Sequence, residues 1–152
     1  MENVKISQVA EIELVYRTNV TLSSRPEVTC VEEAYDLLLS TWDPGKLGFI
    51  EQFKVLLLNQ AGRVLGIFEL SSGGVAGTII DVKLIFVAAL KANASGIIIS
   101  HNHPSGSLIP SNADIINTRQ IVAAGKLLDL PVFDHLILTT EGYISMAERG
   151  YM

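Results

Sequence analysis

Three consecutive isoleucines, Ile97, Ile98 and Ile99, constrain the fold of this chain more than any other feature. A short run that is wholly apolar and β-branched offers no side to water, so it reads as a strand covered on both faces. That strand runs straight into Ser100, His101, Asn102 and His103. Two histidines are thereby delivered from the interior of a layered fold. The 152 residues around it suffice for one domain with a sizeable core, by default an α/β or α+β unit.

The flanking sequence supplies the other layers. Residues 10–17 alternate Ile12, Leu14 and Tyr16 against Glu11, Glu13 and Val15, a period near two that predicts an opening strand. Beyond Ser23, Ser24 and Pro26, Thr29 is placed to cap a helix over residues 31–42, with Glu32 and Glu33 at its positive end. Asp43, Pro44 and Gly45 stop it. Residues 53–59 and 64–70 are strand formers, and Gln60, Ala61 and Gly62 between them suit a hairpin turn. Ser71, Ser72, Gly73 and Gly74 read as a flexible stretch. Residues 82–93 place Ile85, Phe86, Ala89 and Leu90 on one face of a buried helix. A second helix is expected over about residues 112–129, its stripe of Ile116, Ala123 and Leu127 interrupted by Arg119 and Lys126 and ended before Pro131. Residues 132–139 and 143–146 close as strands around Glu141 and Gly142. No repeat or linker divides the chain. Residues 1–48 are expected to pack a strand and a helix on the core formed by residues 49–152, together one compact domain.

Composition removes several function classes. With 49% hydrophobic and 18% charged residues the chain lies far from intrinsically disordered sequences. The single cysteine, Cys30, allows no internal disulfide, cysteine zinc cluster or CxxC redox pair, which fits a reducing compartment. No apolar run approaches a bilayer span, so a soluble, cytoplasmic protein with no membrane partner is expected. A net charge of -5 disfavours nonspecific DNA binding, which depends on basic residues releasing counterions from phosphates. The apolar-rich composition leaves a homo-oligomer open.

The chemistry concentrates in residues 100–114, SHNHPSGSLIPSNAD. Histidines two apart on an extended segment project to the same side, so both imidazoles of His101 and His103 reach one ion. If Pro110 and Ser111 begin a helix, Asp114 sits in its first turn and points back at the strand end. Two imidazoles and a carboxylate with a fourth position open make the ligand set of a catalytic zinc site. Taken alone, Ser111 and Asp114 equally form a helix-capping box.

The spacing HxH, seven residues, Ser, two residues, Asp, with an upstream Glu on a strand, resembles the JAMM (MPN/JAB) metallo-hydrolase motif. The wider run HNHPSG, the EQFKVLLLN strand and the DHLIL segment are similar to its RadC-like bacterial branch, from about Glu51 to the C-terminus. The resemblance implies an α/β fold of cytidine-deaminase-like architecture, a mixed sheet between helices, with Zn2+ as cofactor. It implies cleavage of a peptide or isopeptide bond in a peptide or protein substrate. It makes His101, His103 and Asp114 the metal ligands, Glu51 the general base and Ser111 the oxyanion donor. Two departures stand out. Asp81, Val82 and Lys83 replace the usual Pro-Arg-Glu run, and no helix-hairpin-helix DNA-binding motif precedes Glu51.

Other readings compete. Glu69, at the end of the next strand, is a second candidate base. Asp134 and His135 are neighbours in a strand and face opposite ways, so one of them is expected to be buried and either to support the metal ligands from behind. Gly73, Gly74 and Gly77 lack a P-loop Lys-Ser/Thr and read as a turn or substrate-lining loop. Phe53, Phe68, Phe86 and Trp42 read as packing residues. A zinc deaminase needs a PCxxC partner and is excluded, and a contiguous His-Asn-His is not the dispersed HNH nuclease motif. A nucleic-acid-associated accessory domain tied to DNA repair, without turnover, remains the alternative from a different class.

Overall fold

In a computed structural model, residues 10, 17–74 and 79–152 are described. The predicted opening strand and Gly77 therefore lie outside the described residues. The elements are α1 (Val31–Ser40), α2 (Pro44–Leu47), β1 (Gln52–Leu58), β2 (Val64–Ser72), α3 (Val82–Lys91), β3 (Gly96–Asn102), α4 (Asn112–Leu127), β4 (Val132–Leu138) and β5 (Tyr143–Ser145). The sheet order is β2-β1-β3-β4-β5, with β3 and β4 parallel and the other pairs antiparallel. This is a single-domain α/β fold, a mixed sheet flanked by helices. The isoleucine strand is its centre.

Alternation divides the core into two layers. Phe53, Val55 and Leu57 of β1 and Ile97 and Ile99 of β3 pack against Ile85, Phe86 and Ala89 of α3 and Ile121 of α4. Leu56, Leu58, Ile98, Leu136 and Leu138 face the other way, onto Ala34, Leu38, Trp42 and Leu47. Every residue of β1 and of β3 is buried, as a strand covered on both sides requires. Polar residues on these strands accordingly need internal partners: the Lys54 ammonium donates to Thr41 O at 2.8 Å and lies 4.4 Å from the Trp42 ring centre.

Several expectations are corrected. Cys30, not Thr29, is the N-cap of α1, and no side chain caps there; Thr29 instead donates from its backbone and hydroxyl to Glu33 Oε2. Ser71 and Ser72 are not a flexible stretch but the end of β2, paired with Phe53 and Gln52. Leu90 points outward from α3 and is 55% exposed, while Ile85, Phe86 and Ala89 are buried. On α4 the expected stripe is reversed: Ile116 and Leu127 are exposed, and the buried residues are Asp114, Thr118, Ile121 and Gly125. Helical spacing alone did not reveal which side faced inward, because half of the inward side is polar.

The hairpin between β1 and β2 follows its sequence. Gly62 takes φ 71°, and Asn59 Oδ1 accepts from the backbone of Ala61 and Arg63.

Candidate metal centre

The candidate ligands meet where β3 ends and α4 begins. His101 lies within β3, and His103 follows it by two residues, its backbone N–H donating to Leu138 O at 2.9 Å. The segment then turns through Gly106 at φ 79° before entering α4. Ser111 is the N-cap, and the capping box is complete: Asp114 N–H donates to Ser111 Oγ at 3.1 Å and Ser111 N–H to Asp114 Oδ2 at 2.6 Å. This box aims the Asp114 carboxylate at the histidines. Capping and ligand geometry are therefore satisfied by the same side chain.

His101 Nε2 and His103 Nε2 are 3.0 Å apart, and the carboxylate oxygens of Asp114 lie 3.3 Å from the first and 3.4 Å from the second. One potential ligand atom from each residue falls within 4.8 Å of the others, so the three could hold a metal ion. Their chemistry fits that role. The far nitrogen of His103, Nδ1, sits 2.8 Å from Ser107 O, a group that only accepts, so Nδ1 carries the hydrogen and Nε2 presents a lone pair when the ring is neutral. An imidazole lone pair and a carboxylate aimed at one another across about 3 Å call for a cation or a shared proton between them.

Electrostatics agree. Burial acts most strongly on Asp114 and raises its pKa, yet the hydrogen bonds and charges of His101 and His103 and the bond from Ser111 outweigh it and hold the carboxyl well below its usual range. His103 is raised from 6.5, first by its bond to Asp114, with desolvation opposing and Ser107, the Asp114 charge and Glu51 adding. The carboxylate is thus anionic wherever the domain is folded near neutrality.

Glu51 stands beside this cluster rather than in it. The antiparallel pairing of β1 with β3 ends at Phe53 opposite His101, two residues after Glu51 and two before His103, and the charge of Glu51 acts on the His103 ring. The Glu51 backbone is bonded to Gly73 and Gly74 on both sides, so those glycines extend the β2 edge next to the site. Glu69 is in a different place. It pairs with Lys54, its carboxylate accepts from Gln52 Nε2 at 3.1 Å and lies 3.9 Å from Lys54 Nζ, on the sheet face opposite Phe53 and His101. The second candidate base is thereby removed.

Asp134 and His135 face opposite ways as expected, but both are buried, not one. Asp134 is consumed structurally, accepting from Ser145 Oγ and from the backbone of His135 and Ala147. His135 reaches the site: its Nε2 is 2.7 Å from His101 Nδ1, and its Nδ1 is 2.6 Å from Thr118 Oγ1. Burial, then the neighbouring His101, pushes its pKa well below 6.5. Thr118 was missed by the sequence reading. Its signal was a hydroxyl four residues after Asp114 on the same helix face. Phe53 completes the setting, lying 8° from parallel with the His101 ring and edge-on to His135.

A cleft of about 690 Å³ lies elsewhere, at the opposite end of β3 and β4 among Cys30, Ala34, Ile98, Pro131 and Phe133. Among the described residues, no helix is long and apolar enough to cross a membrane.

Comparison with known proteins agrees with the fold. The profile of the RadC-like JAB domain matches residues 28–151. The chain is 48% identical over 100 residues to a UPF0758 protein of Flavobacterium johnsoniae, covering 66% of this chain and 44% of that one. It is 39% identical over 129 residues to a UPF0758 protein of Salinibacter ruber, covering 83% and 53%. A UPF0758 protein of Porphyromonas gingivalis is 45% identical over 103 residues, covering 67% and 45%. The chain thus spans about half the length of these relatives. The family match starts ahead of Glu51, so α1 and α2, which cover the second face of the sheet, fall within the matched region along with the metal-site segment. The chain belongs to the family of RadC-like JAB domains.

Proposed function

We propose that this domain is a zinc-dependent hydrolase of the JAMM type that cleaves an amide bond, peptide or isopeptide, in a peptide or protein substrate. The observation that carries the reading is the convergence of His101 Nε2, His103 Nε2 and the Asp114 carboxylate at 3.0–3.4 Å. Zinc held by these three residues would supply Lewis acidity and would lower the pKa of water at the site to about 7.

The chain's own groups then have separable tasks. Asp114 and the two imidazoles bind. Glu51 takes a proton from the attacking water on its carboxylate and delivers it to the leaving nitrogen. Its charge, which acts on the His103 ring, supports this assignment. Ser111 Oγ already accepts from Asp114 N–H, which leaves its hydroxyl hydrogen free to donate to the oxyanion that develops on the carbonyl. Leu108 and Ile109, 40% and 77% exposed in the segment between His103 and Ser111, give an apolar approach suited to a polypeptide chain.

Metal analysis of the purified protein, paired with turnover of peptide and isopeptide-linked fluorogenic substrates, tests the reading. Wild type should bind one equivalent of zinc, His103→Ala should lose it, and Glu51→Gln should keep it while losing on the order of 100-fold or more in turnover. Failure of the wild type to take up zinc would sink the proposal.

A further inference from the structure

The two histidines of the centre are anchored differently at their far nitrogens. His103 Nδ1 rests on a carbonyl oxygen, which dictates its hydrogen. His101 Nδ1 rests on another imidazole, His135 Nε2 at 2.7 Å, and an imidazole nitrogen either donates or accepts. That contact alone leaves the tautomer of His101 undetermined.

Thr118 decides it. Its Oγ1 donates to Asp114 O at 2.6 Å, and with the hydroxyl hydrogen committed there it offers His135 Nδ1 only a lone pair at 2.6 Å. His135 Nδ1 must then carry the ring hydrogen, so its Nε2 accepts. His101 Nδ1 in turn donates, and His101 Nε2 is left with a lone pair facing His103 and Asp114. All three side chains are at most 1% exposed, so solvent does not compete for these bonds. Phe53 packs against both rings and fixes their planes.

We infer that Thr118 and His135 are positioning residues which set the tautomer of His101 and hold its Nε2 lone pair toward the metal position. The inference rests on the metal-centre reading above. It also ties the ligands together, because the oxygen that orients the relay belongs to the backbone of Asp114 itself. Losing the hydroxyl frees His135 to reverse its hydrogen, which would place a hydrogen on His101 Nε2 and block that ligand.

The test uses Thr118→Val, which removes the hydroxyl at similar size, and Thr118→Ser, which restores it. Zinc affinity is measured by chelator competition, and the His101 tautomer by nitrogen-15 NMR of the metal-free protein above the imidazole titrations. Wild type should carry its hydrogen on His101 Nδ1. Thr118→Val should shift it toward Nε2 and weaken zinc on the order of 10- to 100-fold, with Thr118→Ser close to wild type. A wild-type hydrogen on Nε2 overturns the inference, as does Thr118→Val binding zinc as tightly as wild type, or Thr118→Ser binding as weakly as Thr118→Val. If the wild type binds no zinc, the hydrolase reading fails, while the NMR tautomer still decides whether the relay exists.

Discussion

Lys54 carries a charge inside the sheet that bears the site, and its environment yields a pH dependence separable from the metal ligands. Its side chain is 6% exposed, with Glu69 at 3.9 Å and Lys46 as the other nearby charge acting on it. Burial dominates and pushes its pKa below 10.5; Glu69 pulls back and Lys46 adds to the fall. The unfolded chain keeps the higher value, so between the folded pKa and 10.5 it binds more protons than the folded one, and stability rises with pH across that window. Below both values the cost of burying the charge is fully present. Lys54→Met should remove this rise, so the wild type gains on the variant in urea midpoint as the pH climbs toward 10.5. Parallel pH profiles would contradict it. Residue-level chemistry was legible where it is local. His101 and His103 share a side by the period of a strand, and Asp114 reaches them by the geometry of one helical turn. The tautomer relay was not legible, because it joins residues 34 and 17 positions apart. The parallel pairing of β3 with β4 and the packing of α4 on the sheet bring them together.

Helix α4 shows the same division at the scale of an element. Its inward line, Asp114, Thr118, Ile121 and Gly125, holds the carboxylate of the candidate metal site, a hydroxyl, one apolar residue and a glycine. A hydrophobic stripe is the usual sign of the buried side, and here the buried side carries the polar groups of the candidate site, so the apolar Ile116 and Leu127 pointed to the wrong face. β1 and β3 had no such ambiguity, since both of their faces are core. Gly125 marks where α4 meets the chain entering β4. Its carbonyl accepts from Leu130 N–H at 2.8 Å, and an added Cβ would collide with the Leu130 carbonyl oxygen and come within 3.3 Å of Val132 Cγ2. The obstacle is backbone, which cannot rotate aside. Gly125→Ala gains about 1 kcal/mol of helix propensity, but overpacking at such a site costs roughly 1–3 kcal/mol. A net loss of stability is expected in chemical denaturation; a variant as stable as wild type would show that the α4–β4 junction yields easily.

For the whole molecule, the candidate metal position is also a joint. His101 and His103 belong to the end of the central strand, and Asp114 to the helix that crosses from β3 to β4, so an ion bound by all three fastens the sheet to one of its covering helices. Without an ion, once the imidazoles are neutral, His101 Nε2, His103 Nε2 and the Asp114 carboxylate turn only lone pairs toward one another. The unfolded chain scatters the three ligands and loses the site, so binding adds directly to folding stability. At free zinc 100-fold above its dissociation constant the gain is about 2.7 kcal/mol. Addition of zinc should therefore raise the melting temperature of the wild type, and a chelator should reverse the rise. His103→Ala should show no response, because a residual His101 and Asp114 leave two ligands where three are needed. Glu51→Gln should respond as fully as wild type, since Glu51 is outside the ligand set. A zinc-induced shift that survives in His103→Ala would mean that the ion stabilises the domain at some other place, and the link between this centre and the integrity of the fold would be broken.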